Sequence, residues 1–211
     1  MNAREQLRDE IRAVFGSVPF PAHQGLRAAM AGDDWVSDPA ILLQITAEQD
    51  IHGEWWEIPP RELEECTLAI SYLDAAGVEF YLPAYMTMAL DDLVCPKYRD
   101  VVGSHDPDSA GADDALRAYF RDRLSRGAYR WVLHFLSPPY ADGDDELREH
   151  FRDKLSRIDG GKKTVCVKFL QFLRKEFDPN DSVSPFETVN RILKDEFDDV
   201  ERILKHEFWS S

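Results

Sequence analysis

A chain of 211 residues is long enough to bury a sizeable core, and its 44% apolar and 31% charged residues describe a folded globular protein, not a disordered one. Forty acids against twenty-five bases give a net charge of −15, which argues against nucleic acid and anionic membrane as direct partners. No apolar run approaches the roughly 18 residues of a bilayer span. The polar start MNAREQLRDE has no signal-peptide layout, and three widely spaced cysteines (Cys66, Cys95, Cys166) make no disulfide framework, so the expected location is the reducing cytoplasm.

In chain order, Leu7, Ile11, Val14 and Phe15 recur at helical spacing and predict an amphipathic helix over Ala3–Phe15, stopped by Gly16. SVPFPAH is a turn-rich connection. SDPAILLQITAEQD opens with Ser37 or Asp38 as a cap and Pro39 in the first turn, with Ile41, Leu42 and Ile45 expected inward and Glu48 and Asp50 outward. After an extended aromatic segment and a Pro-Pro break, Leu63, Cys66, Ile70 and Leu73 mark one face of a second helix ending at Gly77. Cys66 reads there as a small core residue. Phe80, Tyr81 and Leu82 are expected to pack just before a central core helix. Pro83 sits in its first turn, Tyr85, Met86, Ala89, Leu90 and Leu93 form its apolar face, and Asp91 and Asp92 lie at its wet end.

CPKYRDVVGSHDPDSAGADD reads as a linker that contains His105 and Asp106. Beyond it, LRAYFRDRLSR (116–126) returns as LREHFRDKLSR (147–157), identical at eight of eleven positions, and each copy leads to a Phe-Leu helix. Two similar helical hairpins packed together are the expectation. ILKDEF (192–197) and ILKHEF (203–208) lie eleven residues apart, about three helical turns, and predict one long terminal helix that clamps across the domain or pairs with a second chain. The predicted fold is mainly α: a single compact domain over 1–211, divisible into an acidic module (1–100) and a helical-hairpin module (112–211).

The motifs nominate no reaction. G-x-S-x-G, H-E-x-x-H and C-x-x-C are absent, and the six histidines are scattered, so no catalytic residue, metal or cofactor is expected. GGKKT (160–164) lacks the upstream glycine of a phosphate loop and reads as a turn opening a helix. His134 reads as a partly buried core residue. Paired acids such as Asp33/Asp34, Glu64/Glu65 and Asp91/Asp92 come without an accompanying base or nucleophile.

Charge distribution is more telling. Ala28 to Pro96 carries fourteen acids and one base, Arg61, a local balance of −13, while Tyr140 to the end carries seventeen acids and thirteen bases. Ordinary surfaces intersperse both signs. Within the acidic stretch GDDWVSDP sets Trp35 beside carboxylates, and DIHGEWWEIPP does the same for Trp55 and Trp56. Aromatics anchor an interface and charges steer its partner. Asp33, Asp34, Trp35, Asp50, Glu54, Trp55 and Glu57 are therefore the candidate partner-binding residues. Trp56 is read as closing the core, and for Trp35 core and interface stand open.

WWEIPP followed by YLDAAGVEFYLPAYM resembles an uncharacterised family of bacterial proteins with W-x-x-I-P and F-Y-L-P-A-(Y/F)-(M/L) motifs, over roughly Phe20 to Phe177, with FRDKLSR…KTVCVKFLQFL as its closing hairpin. The resemblance implies a compact, largely helical bacterial domain and carries over no activity. By analogy of class, small acidic bacterial proteins of this kind serve as antitoxin or immunity proteins. The functional expectation is an immunity protein that neutralises a basic toxin, a nuclease among the candidates. The alternative is a self-associating structural or regulatory protein that dimerises through Ile192, Phe197, Ile203 and Phe208.

Overall fold

The computed structural model describes residues 2–92, 128–137, 145–176 and 187–210. Among them every regular element is a helix. The linker, Leu93, Cys95 and the first copy of the eleven-residue echo lie outside the described residues.

Helix α1 (Ala3–Phe15) starts on a reciprocal cap. The Asn2 side chain accepts from Glu5 N at 2.9 Å, and the Glu5 carboxylate accepts from Asn2 N at 3.0 Å. Its stripe of Leu7, Ile11 and Phe15 is buried. Helix α2 (Leu26–Asp33) has no counterpart in the sequence reading, because Ala28, Ala29, Ala31 and Gly32 blur the apolar period. Ala28 and Ala29 are fully buried, and α2 packs against α3 (Pro39–Gln49). α3 begins as expected, with Asp38 accepting from Ala40 N at 2.9 Å and Pro39 at its first position.

The expected helix ending at Gly77 is two pieces: α4 (Pro60–Glu65) and a 3-10 turn, Thr67–Ser71. Leu63, Cys66, Ile70 and Leu73 are buried as the stripe required. The continuity fails because the Tyr85 hydroxyl sits 3.1 Å from the Leu63 carbonyl and 3.2 Å from that of Cys66, satisfying backbone oxygens outside a helical ladder. Gly77 lies near the start of the next helix. The Asp74 carboxylate accepts from Gly77 N at 2.7 Å and opens α5 (Ala75–Asp92), and a Cβ at Gly77 would meet Leu73 Cδ2 at 2.7 Å.

Helix α5 spans 18 residues, and Pro83 stands in its interior, so Phe80–Leu82 belong to the helix rather than preceding it. A proline there withholds a hydrogen bond from the Glu79 carbonyl, a cost of about 3 kcal/mol in an isolated helix. Packing on all sides overrides that propensity, because from Val78 to Leu90 only Thr87 is less than buried. α5 is the central core helix the apolar face predicted, with Asp91 exposed at its end and ion-paired to Arg8 of α1.

Helix α6 (Ala128–Leu136) lies along α5, with Trp131 edge-on to Tyr85 at 6.2 Å. α7 (Asp145–Lys154) carries the second echo and leads through a turn to α8 (Gly160–Glu176), which packs on α1 and buries Phe169, Leu170 and Leu173. α9 (Glu187–Lys205) runs along α8. The terminal helix is broken at His206: its ring nitrogen Nδ1 accepts from Phe208 N at 3.2 Å, and a short α10 (Glu207–Ser210) follows. The break turns Trp209 inward, where its indole N–H donates to the Leu136 carbonyl at 2.8 Å. One continuous core takes in Leu7, Trp55, Tyr85, Phe169 and Trp209.

Candidate interaction surface

The seven candidate residues divide. Trp55 is 2% exposed, with its indole N–H donating to the Phe15 carbonyl at 3.1 Å, so it closes the core and presents nothing to a partner. Trp56, expected in that role, is half-buried under the Arg12 guanidinium, 4.6 Å from its ring. Asp50 is 7% exposed rather than outward. Its carboxylate accepts from Arg27 N at 2.8 Å and from Ala28 N, capping α2 from 23 residues away. A Cβ at Gly25 would meet that carboxylate at 2.2 Å, so glycine is what admits the cap. Burial pushes the Asp50 carboxyl above its ordinary range, against the pull of the two amides.

Asp34, Trp35, Glu54 and Glu57 are exposed, and Asp33 is half-exposed, accepting from the Tyr72 hydroxyl. They form two groups: Asp33–Trp35 before α3, Glu54 and Glu57 after it, with about 16 Å of helix between. Asp33, Asp34, Asp38, Glu48, Glu54 and Glu57 make no ion pair among the described residues. Three other acids of the same stretch serve the fold. Glu62 and Glu65 hold Arg27 at 2.7 and 2.8 Å, and Glu79 pairs with Lys162 and, at 3.4 Å, with Arg157. Six carboxylates without an ion pair among the described residues therefore lie on or beside α2 and α3.

Trp35 has the most unusual geometry. Val36 N donates to the Ala31 carbonyl at 3.0 Å and Trp35 N to the Gly32 carbonyl at 3.2 Å, the two bonds of a Schellman ending, which places Trp35 at the left-handed position with φ 66°. Glycine is the usual occupant, and a bulky side chain there costs roughly 1–2 kcal/mol. The side chain is 94% exposed, so no burial within the protein offsets that cost.

Helix α3 adds apolar surface. PAILLQIT is mostly apolar, with Gln44 donating to Glu48 one turn on, and so apolar a run is ordinarily buried. Here only Thr46 is buried, its hydroxyl accepting from Gly25 N at 3.1 Å, while Ile41 and Leu43 are each 47% exposed and Leu42 and Ile45 half-buried. The inward expectation for Ile41 therefore fails, since α2 covers just one side of α3. Ile41 and Leu43 are surface residues the sequence reading missed. Their signal was the unbroken apolar run AILL, too wide for the one side that α2 covers.

Other expectations fall elsewhere. Ile203 is buried, and Phe197 and Phe208 are half-buried against the core; the Ile192 side chain lies outside the described residues. GGKKT opens α8, with Lys162 on Glu79 and Lys163 over the Phe208 ring at 5.0 Å. It borders a groove of about 870 Å³ lined by Leu155, Ile158, Val167 and Phe208. No helix of the described residues is long and apolar enough to cross a membrane.

Residues 3–102 match the model of a family of unknown function, DUF6714. That stretch runs from α1 through α5 and contains both the WWEIPP and FYLPAYM segments. It starts earlier than the resemblance implied and stops before the closing hairpin at 151–173. No curated protein and no solved structure matches the chain.

Proposed function

We propose that the chain is a protein-binding protein whose α2–α3 surface docks a basic partner, and that its task is to neutralise that partner as an immunity protein neutralises a toxin. The observation that carries the reading is Trp35, a large aromatic held in a strained backbone conformation and presented almost wholly to solvent. The two hydrogen bonds of the helix ending hold that strain in place, and strain of this kind clusters at sites that bind. Ile41 and Leu43 supply apolar area beside it, and unpaired carboxylates supply the field that steers a cationic surface. A basic nucleic-acid-cleaving protein fits this description, because its active surface must be cationic to hold phosphates.

The test is affinity capture at low ionic strength from the native host, with wild type and Trp35→Gly run side by side. Glycine relieves the left-handed strain, so the variant is folded and any lost capture is a lost contact. The expected result is a basic protein retained by wild type, released by salt and missing from the variant. Equal retention by both proteins would remove Trp35, and this surface, from the partner's footprint.

A further inference from the structure

Three elements meet away from the Trp35 surface. The turn Thr67–Ser71 brings Ser71, α6 brings His134, and the end of α7 brings Lys154. The Ser71 hydroxyl lies 3.3 Å from His134 Nε2, and both residues are exposed, so His134 is not the core residue its apolar neighbours implied. The half-buried Lys154 ammonium donates to the Ile70 carbonyl at 2.5 Å and lies over the Phe135 ring at 5.8 Å, each adjacent in sequence to a member of the Ser71–His134 pair. An ammonium has three donors, and among the described residues this one makes a single hydrogen bond.

No carboxylate pairs with Lys154 or His134 among the described residues. That is unexpected in a chain with forty acids and twenty-five bases. Elsewhere half-buried cations are answered: Arg27 by Glu62 and Glu65, Lys162 by Glu79. α6 and α7 both end here, and their C-terminal carbonyls favour cations. Burial nevertheless wins. It pushes Lys154 down to about 8 and, with the neighbouring ammonium, lowers His134 below its ordinary value. Two donors, a hydroxyl and a local positive charge remain without an acid to neutralise them.

We infer that Ser71, His134 and Lys154 form a binding site for a single oxyanion group, a phosphate or a carboxylate. Lys154 and protonated His134 supply charge-assisted hydrogen bonds, and the Ser71 hydroxyl donates a third. The site joins the region shared with the unknown-function family to the helices beyond it, so occupancy also ties α6 and α7 to that region. The same anionic group arrives on a small metabolite or on an acidic side chain of a partner.

The test uses the full chain and follows the His134 ring by NMR titration with inorganic phosphate and, separately, acetate, each at ionic strength held constant with chloride. A bound anion stabilises the imidazolium, so the His134 pKa rises on saturation. Lys154→Met, which preserves the apolar stem, weakens that response about tenfold or more, the worth of one charge-assisted bond. Response to phosphate alone assigns a phosphate group, and response to acetate alone assigns a carboxylate. No response to either ion at tens of millimolar, or a response undiminished in Lys154→Met, overturns the site.

Discussion

Trp35 and Asp50 illustrate opposite uses of a single residue. Trp35 is placed where glycine is cheapest and is then left in water. Trp35→Gly is therefore expected to raise stability by about 1 kcal/mol, part of the relief being offset by the greater freedom of glycine in the unfolded chain, as read by chemical denaturation. A loss of stability would mean that the indole has a partner inside the fold. Asp50 sits beneath the surface and holds two amides of α2. Asp50→Ala leaves both donors buried and is expected to cost about 2 kcal/mol. The pH sign follows from burial, which raises the folded carboxyl above its unfolded value near 3.8. The folded state then binds the proton more tightly, so stability from this group rises as pH falls through that window. The gap in melting temperature between wild type and Asp50→Ala is expected to widen from pH 7 to pH 4.

Among the elements, α3 and α5 have nearly the same composition problem and opposite solutions. Both are predominantly apolar. α5 is enclosed by α1, α4 and α6, while among the described residues α3 packs chiefly on α2, so a similar sequence character yields a core in one place and a surface in the other. The carboxylates flanking α3 lie in two groups at its ends, and they are separable by mutation. Asp33→Lys with Asp34→Lys is expected to slow association with the captured basic partner by about tenfold and to flatten its salt dependence. Glu54→Lys with Glu57→Lys is expected to do less, being remote from Trp35. Stopped-flow rates across a salt series distinguish the two, and equal slowing would place the partner along the whole of α3.

Across the whole molecule, the region that matches the unknown-function family does not own its core. α5 buries Tyr85 against Trp131 and Phe135 of α6, Glu79 answers to Lys162 of α8, and Lys168 of α8 reaches Glu10 of α1 at 2.5 Å. A chain ending at residue 102 exposes one side of α5 and leaves Glu79 without its cations. It is expected to show no cooperative thermal transition by circular dichroism, whereas the full chain is expected to show one. A sharp transition in the short chain would make the C-terminal helices an addition to an independent fold.

Much of this architecture was legible in local pattern. The stripe Leu7, Ile11, Phe15, the cap at Asp38 and the apolar density of FYLPAYM each report chemistry complete within a turn or two of helix, so periodicity and capping residues sufficed. The negative balance of Ala28–Pro96 likewise needs only counting. What the sequence could not decide was which residues face which neighbour. Trp55 goes in and Trp35 out because Phe15 offers a carbonyl to one and a Schellman ending turns the other away. Asp50 goes in because the amides of α2 lie above it, 23 residues back in the chain. Ser71, His134 and Lys154 are 83 positions apart at their extremes, and only the packing of the 3-10 turn against α6 and α7 brings them together. Local structure follows from short-range pattern, whereas exposure, pairing and site geometry depend on contacts between segments distant in sequence, which only the folded chain specifies.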